Sequence, residues 1–275
     1  MTAKIDFAFQ RIPIPERQAK PRRRGLTMMM DWGLPLLLQN DCLEAQGLYV
    51  DKAKIVAGIS RIMPAEYLKK KLAAYEAQGV FTFPGGLFTE LSIAQGNYEA
   101  FLDEVKEAGF SGIEVSDNLL RMEPRRKRAV ISKAVDERGL TVMGEVGRKQ
   151  GAMPDEALIA DVENCLEAGA SMVLLEAHEL FHGGIRMEAA QNLAERVSLE
   201  RLMFELPAAV LPDVTRAYKH KVCAWLVREF GTEVNLANVE WDEIYITELV
   251  RRGMAGDTSH PQGAYRLAGM EAGED

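Results

Sequence analysis

The chain has 275 residues, of which 47% are hydrophobic, and a formal net charge of −8. That length and apolar content allow one large domain or two small ones, and the acidic balance argues against a general nucleic-acid binder. No run approaches the roughly 18 uninterrupted apolar residues of a membrane span, the segment from Met1 to Phe9 lacks an apolar secretory stretch, and the three scattered cysteines, Cys42, Cys165 and Cys223, read as reduced, buried thiols of a cytoplasmic protein.

The basic run Arg22-Arg23-Arg24 reads as the end of a solvated, extended N-terminal arm, residues 1–23. Beyond it, short apolar runs, often β-branched, alternate with longer stretches of helical period. The strand candidates are residues 26–31, 53–57, 80–83, 112–115, 141–145, 171–176, 202–205 and 233–236. They recur at close to the ~30 residues of one strand–helix unit. Between them, "NYEAFLDEVKEAGF" places Tyr98, Phe101, Leu102 and Val105 on one helical face and stops at Gly109. "MPDEALIADVENCLEAGA" opens with Pro154 and acids in its first turn, turns Ala157, Leu158, Val162 and Leu166 inward, and stops at Gly169. "DVTRAYKHKVCAWLVREFG" ends in the same way at Gly231. Helix, glycine, then buried strand is the connection of alternating parallel β/α architecture. Eight such units predict a single-domain (β/α)8 TIM barrel over residues 24–258, followed by a tail, 259–275. A doubly wound open sheet is the alternative, but no strand leads into a G-x-G-x-x-G turn.

In such a barrel the chemistry lies at the C-terminal ends of the strands. In chain order those ends offer Asp31; Lys54, followed by Gly58 and Ser60; Gly85-Gly86, followed by Glu90; Glu114, Ser116 and Asp117; Glu145, Arg148 and Lys149; Glu176 and His178; Glu205; and Asn235 with Asn238. One strand-end carboxylate is ordinarily an N-cap or a surface ion pair. Acids at five of eight ends would instead repel one another and raise each other's pKa values. A hard divalent cation resolves that conflict, and Mg²⁺, which takes carboxylate and water oxygens, fits the ligand type. The candidate metal ligands are therefore Asp31, Glu114, Asp117, Glu145, Glu176 and Glu205. Lys54, Arg148 and Lys149 supply positive groups for a small anionic substrate, with Ser116, His178 and Asn235 as further contacts on the same rim. Gly85 and Gly86 either let backbone N–H groups approach a phosphate or only make a tight turn.

"HELFH", from His178 to His182, matches the zinc-protease signature literally. That chemistry needs both imidazoles on one helical face, yet the motif directly follows a buried strand and Gly183-Gly184 would break the helix at once. His182, His220 and His260 read as surface or structural histidines.

Taken together, "RGLTMMMDWG" (24–33), "VDKAKIVAGIS" (50–60), "FPGGLFTE" (83–90), "GFSGIEVSDN" (109–118), "GEVGRK" (144–149), "FELP" (204–207), "VNLANV" (234–239) and "RRGMAGDT" (251–258) resemble the phosphosulfolactate synthase family of coenzyme M and sulfolactate biosynthesis. The resemblance implies a (β/α)8 barrel, often homo-oligomeric, that adds sulfite to phosphoenolpyruvate with Mg²⁺. It implies Lys149 as proton donor, with Glu145 beside it in the catalytic set. It also implies Glu145, Glu114 and Asp117 around the metal, and Lys54 and Arg148 on phosphate or sulfonate. The sequence departs from the family pattern at three places. Glu176-Ala177-His178-Glu179-Leu180-Phe181 stands for a Glu-Gly-Arg-Glu-Ser-Gly-like run, Arg148-Lys149 for paired lysines, and "AAVLPDVTRAYKHK" for a glutamine-rich loop. Two alternatives follow: a paralogue that adds another nucleophile to phosphoenolpyruvate or a related enol acid, and a non-catalytic, stress-associated barrel.

Overall fold

A computed structural model describes residues 7–149, 151–208, 210 and 212–255. The short apolar runs form eight parallel strands, β1 (Thr27–Asp31), β2 (Lys52–Ile55), β3 (Phe81–Pro84), β4 (Gly112–Val115), β5 (Thr141–Val146), β6 (Met172–Leu175), β7 (Leu202–Glu205) and β8 (Leu236–Val239). The helices between and after them are α1 (Leu36–Gln46), α2 (Ile59–Ile62), α3 (Ala65–Ala77), α4 (Gly86–Ala94), α5 (Tyr98–Ala108), α6 (Pro124–Ser132), α7 (Asp155–Glu167), α8 (Ala177–Phe181), α9 (Met187–Arg196), α10 (Arg216–Phe230) and α11 (Ile244–Arg251). The sheet order is β3-β2-β1-β8-β7-β6-β5-β4. Ser111, just before β4, donates its N–H to the Thr82 carbonyl of β3 at 2.9 Å and completes the circle. The fold is the expected (β/α)8 barrel in one domain, and no helix among the described residues is long and apolar enough to cross a membrane.

Strand side chains alternate between two faces, and in a barrel both faces are buried. Met28, Phe83, Met143, Met172, Leu174, Met203 and Ala237 fill the lumen. Strand residues of the other parity, among them Met29, Ala53, Ile113, Val142, Val173 and Phe204, pack outward in the core shared with the helices. Four unbranched methionines suit the irregular lumen, because the thioether chain adapts to gaps that a branched side chain leaves. The helices keep their expected stops, Gly109 closing α5 at φ 93°. On α7 the inner face is Leu158, Ile159, Val162 and Cys165, so Ala157, expected inside, is exposed instead.

The period-two alternation also decides the fate of Asp31. Met28 lies in the lumen, Met29 packs outside it, and Asp31 shares the parity of Met29. Its carboxylate accordingly meets α3, 2.8 Å from the Lys71 ammonium and 2.8 Å from the Tyr75 hydroxyl. It also accepts N–H groups from Gly33 and Leu34. The structure therefore does not bring Asp31 to the mouth as a metal ligand.

One further expectation is corrected. Strand β8 begins three residues later than its expected start at Glu233. The preceding Thr232 and Val234 carbonyls are taken by Arg251 at 2.7 and 2.6 Å rather than by a neighbouring strand. Asn235 thus sits at the N-terminal end of the barrel, not at the mouth. Its side chain accepts from Leu26 N and donates to the Leu199 and Leu202 carbonyls. The described part of the N-terminal arm is mostly exposed, Arg23 and Arg24 included, but three of its basic side chains are anchored on the barrel. Arg17 donates to the Thr232 and Gly25 carbonyls, Lys20 to those of Gly47, Val50 and Gln78, and Arg22 pairs with Asp51 at 2.9 Å. The arm straps the face of the barrel opposite the mouth. The tail, 259–275, lies outside the described residues.

Lys71 and Asp31 are both fully buried. Removing one partner strands the other charge, at a cost of about 3–5 kcal/mol. Lys71→Met is therefore expected to lower the free energy of unfolding in denaturant titrations by that amount. A loss below about 1 kcal/mol would show that the three hydrogen bonds at Asp31 suffice without the ammonium.

Candidate active site

The alternation that turns Asp31 away turns Lys54, Glu114, Glu145 and Glu205 inward, in a layer above the lumen methionines. Glu176 joins them from the residue after β6. All five side chains are buried. Lys54 Nζ lies 2.7 Å from Glu205 Oε1 and 2.8 Å from Glu114 Oε2, joining opposite walls of the barrel. Burial works against its ammonium, but Glu114, Glu205 and Glu145 outweigh that penalty and hold its pKa well above the usual lysine range. Glu114 accepts the Gly86 N–H at 3.0 Å and shares a hydrogen bond with Glu145. Burial, with Glu145 and Glu205 adding to it against Lys54, raises the Glu114 pKa. Glu145 moves the other way. Burial is outweighed there by the Glu114 hydrogen bond, Lys54, Lys149 and the Asn118 amide, so Glu145 stays ionised. Within the pair, Glu114 is thus the carboxyl held above the ordinary range and Glu145 the one held below it.

Carboxylate oxygens of Glu145, Glu176 and Glu205 all fall within 4.8 Å of one another. Two unit charges about 4 Å apart repel by roughly 4 kcal/mol at an effective dielectric of about 20. In keeping with this, burial followed by the charges of Glu205 and Glu145 pushes the Glu176 pKa up. Buried Glu176 Oε2 has no hydrogen-bond partner; Lys149 Nζ faces it at 3.5 Å. Oxygens opposed across one Mg²⁺ sit about 4 Å apart, so three convergent carboxylates, one oxygen unsatisfied, fit such an ion.

Gly86 makes this closeness possible. A Cβ there would stand 2.8 Å from Glu114 Oε1, and closer still to Ser116 Oγ. A Cβ on Gly85 would meet Ala57 N at 2.7 Å. The Gly86 amide is committed to Glu114, so the pair serves a close turn. Ser116 donates to Glu90, as do the N–H groups of Asn118 at 3.0 Å, Leu119 at 2.7 Å and Leu120 at 2.6 Å. Glu90 thereby fixes the loop after β4 and aims the Asn118 amide at Glu145. Asp117 leaves the mouth, pairing at 2.9 Å with Lys127 of α6. Lys127 also holds Asp161 at 2.9 Å and the Glu145 carbonyl at 2.8 Å. Arg148 and Lys149 are exposed on the rim, and Asn238, at the end of β8, keeps a buried side-chain oxygen unpaired.

"HELFH" does form a helix, α8, ending before His182. The His178 and His182 rings stack at 3.9 Å with planes 15° apart, face to face rather than converging on one point. Glu179 is held by the Arg148 and Met153 N–H groups and by Arg186, so it is no base for a zinc-bound water. Sequence reading did not anticipate the roles of Asn118, Lys127 and Glu179. Asn118 carries a weak signal in its position two residues beyond Ser116. Lys127 carries none, since it lies within the basic run of α6.

Residues 15–257 match the family of (2R)-phospho-3-sulfolactate synthase (ComA). The chain belongs to the phosphosulfolactate synthase family. Phosphosulfolactate synthase of Methanocaldococcus jannaschii is 32% identical over 248 residues, 86% of this chain and 94% of that one. The Bacillus subtilis phosphosulfolactate synthase is 27% identical over 265 residues, 92% of this chain and 98% of that one. Protein HEAT-STRESS-ASSOCIATED 32 of Arabidopsis thaliana is 24% identical, with 86% and 88% covered. Among solved structures, a putative fructose-1,6-biphosphate aldolase from Coccidioides immitis shares the fold at a TM-score of 0.54 and 16% identity, over 87% of this chain and 83% of that one.

If the family member's carboxylates hold a divalent ion, Glu205→Gln removes one donor from the triad. Its Mn²⁺ or Mg²⁺ affinity by calorimetry is expected to fall by more than about tenfold. Unchanged affinity would place any ion elsewhere.

Proposed function

We propose that the chain catalyses the Mg²⁺-dependent addition of sulfite to phosphoenolpyruvate, giving (2R)-2-phospho-3-sulfolactate, a carbon–sulfur lyase-class reaction. The observation that carries this reading is the buried triad Glu145, Glu176 and Glu205, with Lys54 beneath it and Lys149 above. Bound Mg²⁺, held by those three carboxylates, would supply positive charge where the substrate carboxylate gains electron density.

The remaining work falls to side chains. The sulfite lone pair forms a bond to the methylene carbon, and the alkene electrons move toward the carboxylate. The carbon bearing the phosphate then takes one proton, and no group leaves. Lys149 is the proton donor in this reading. Burial disfavours its ammonium, yet Glu176, Glu145 and Glu205 outweigh burial and raise its pKa. It is therefore charged near neutrality, able to draw an anion in before giving up a proton. Arg148 and His178, on the rim, are assigned to phosphate or sulfite, and Lys54 keeps the inner carboxylates together as the anions approach.

A second reading is a paralogue that adds a different nucleophile to phosphoenolpyruvate or a related enol acid. The stacked His178–His182 pair beside the mouth, at a place where the family resemblance implies a fixed cation, favours it. Similarity to a protein named for heat stress supports a third, non-catalytic reading.

Phosphorus NMR of the protein with phosphoenolpyruvate, sulfite and Mg²⁺ is expected to show a new phosphomonoester signal. Lys149→Ala is expected to slow its appearance by about 10²–10⁴-fold with the circular dichroism spectrum unchanged. Near-normal turnover in that variant would move the proton donor elsewhere. Turnover with another nucleophile alone would select the second reading, and no turnover with any would leave the third.

Homo-oligomer formation is proposed as well. Helix α1 buries Gln39 while leaving Leu37 81% exposed, with Leu38 and Trp32 also exposed. These apolar side chains lie outside the buried face of α1, which also holds Cys42 and Leu43, and suit a covering second copy. Light scattering should give a multiple of the chain mass, reduced by Leu37→Glu. A monomer at micromolar concentration would overturn it.

A further inference from the structure

The "HELFH" motif is unexplained by the reaction, and its glutamate is one of the most heavily engaged acids in the chain. Glu179 is buried in α8, and its two oxygens reach two points of the loop that follows β5. Oε2 accepts from Arg148 N at 3.0 Å, and Oε1 accepts from Met153 N at 2.8 Å. Arg186 pairs with the same Oε1 and donates to the Met153 carbonyl at 3.0 Å and to Asp155 at 2.7 Å. Lys149 lies between the two clamped amides. At the base of the loop, Gly147 has φ +124°, and a Cβ there would stand 2.8 Å from the Cβ atoms of both Glu176 and Glu179. Loop and helix therefore meet without a side chain between them.

The Lys149 head group is referenced to the same place. Its ammonium faces Glu176 at 3.5 Å, and Glu176 is the N-cap of α8, accepting the His178 N–H at 3.1 Å. One short helix thus holds the loop backbone through Glu179 and the lysine side chain through its capping residue. We infer that Glu179, with Arg186, is the positioning residue for Lys149: it fixes the loop after β5 so that the ammonium is presented over the carboxylate triad. This rests on the reading of Lys149 as proton donor. Misplacement of a reacting group by about 1 Å costs about 10²-fold in rate, so a clamp on both sides of the lysine has a kinetic consequence beyond stability.

Glu179→Gln keeps the size of the side chain but replaces one acceptor with an amide that opposes an N–H donor. Hydrogen exchange by mass spectrometry is expected to quicken at least about tenfold in the segment spanning Arg148 to Met153, with the strand amides unchanged. Amine-labelling of Lys149 is expected to quicken in parallel. In the phosphorus assay, kcat is expected to fall about 10²-fold while KM for phosphoenolpyruvate stays within about threefold. A loosened loop with unchanged kcat would overturn the inference, as would unchanged exchange and labelling. Should Glu179→Gln fail to fold, Arg186→Met, which spares the two amide bonds, is expected to shift the same readouts in the same direction by less. If the wild type makes no product from any donor, the functional reading fails, and exchange and labelling alone then decide whether Glu179 holds the loop.

Discussion

The ammonium of Lys54 lies between Glu205 and Glu114, at 2.7 and 2.8 Å, on the inner wall of the barrel, and the arrangement of the mouth depends on it. Four glutamates share that space, and carboxylates so close would not all stay ionised in a dry site. One buried cation lowers the cost, the hydrogen bond between Glu114 and Glu145 lowers it further, and the rim ammonium of Lys149 opposes Glu176. What remains is net negative and convergent, the condition under which a divalent cation is drawn in. The Lys54 ammonium also sets geometry, because it ties strands β2, β4 and β7 to one point above the methionine layer.

How much of this could be read from the chain turns on parity. The eight strands and their helical partners were legible because apolar runs and glycine stops repeat with a regular spacing. Lys54, Glu114, Glu145 and Glu205 were legible as strand-end charges, and the barrel brings them together because each shares the inward face with a lumen residue. Asp31 and Asp117 looked equivalent in sequence, but one residue of phase sends them outward, to Lys71 and Lys127. Strand β8 was misplaced because Glu233 and Val234 have strand-like composition, whereas arginine side chains from elsewhere in the chain claim the carbonyls of Thr232 and Val234. Those long-range partners, like the reach of Lys127 to the Glu145 carbonyl, leave no local pattern.

Two loops at the mouth are built in the same manner. Glu90 gathers three backbone N–H groups and the Ser116 hydroxyl after β4, and Glu179 gathers two N–H groups and an arginine after β5. In each case a buried carboxylate satisfies amides that a loop would otherwise turn to water. The residues so presented, Asn118 and Lys149, both act on the carboxylate cluster. Precision at the mouth is thus supplied by acids outside the cluster, on helices rather than on strands.

The cationic strap at the opposite face has a consequence for the order in which the chain assembles. Lys20 and Arg22 bond to groups between Gly47 and Gln78, all of which are made before β3. Arg17 bonds to Thr232 and pairs with Glu233 and Glu248, which are made only after β7. The N-terminal segment can dock on the first two units while the rest is still being translated, but its last contacts await β8 and α11. Seating β8 against β1 and locking the strap therefore depend on the same part of the chain.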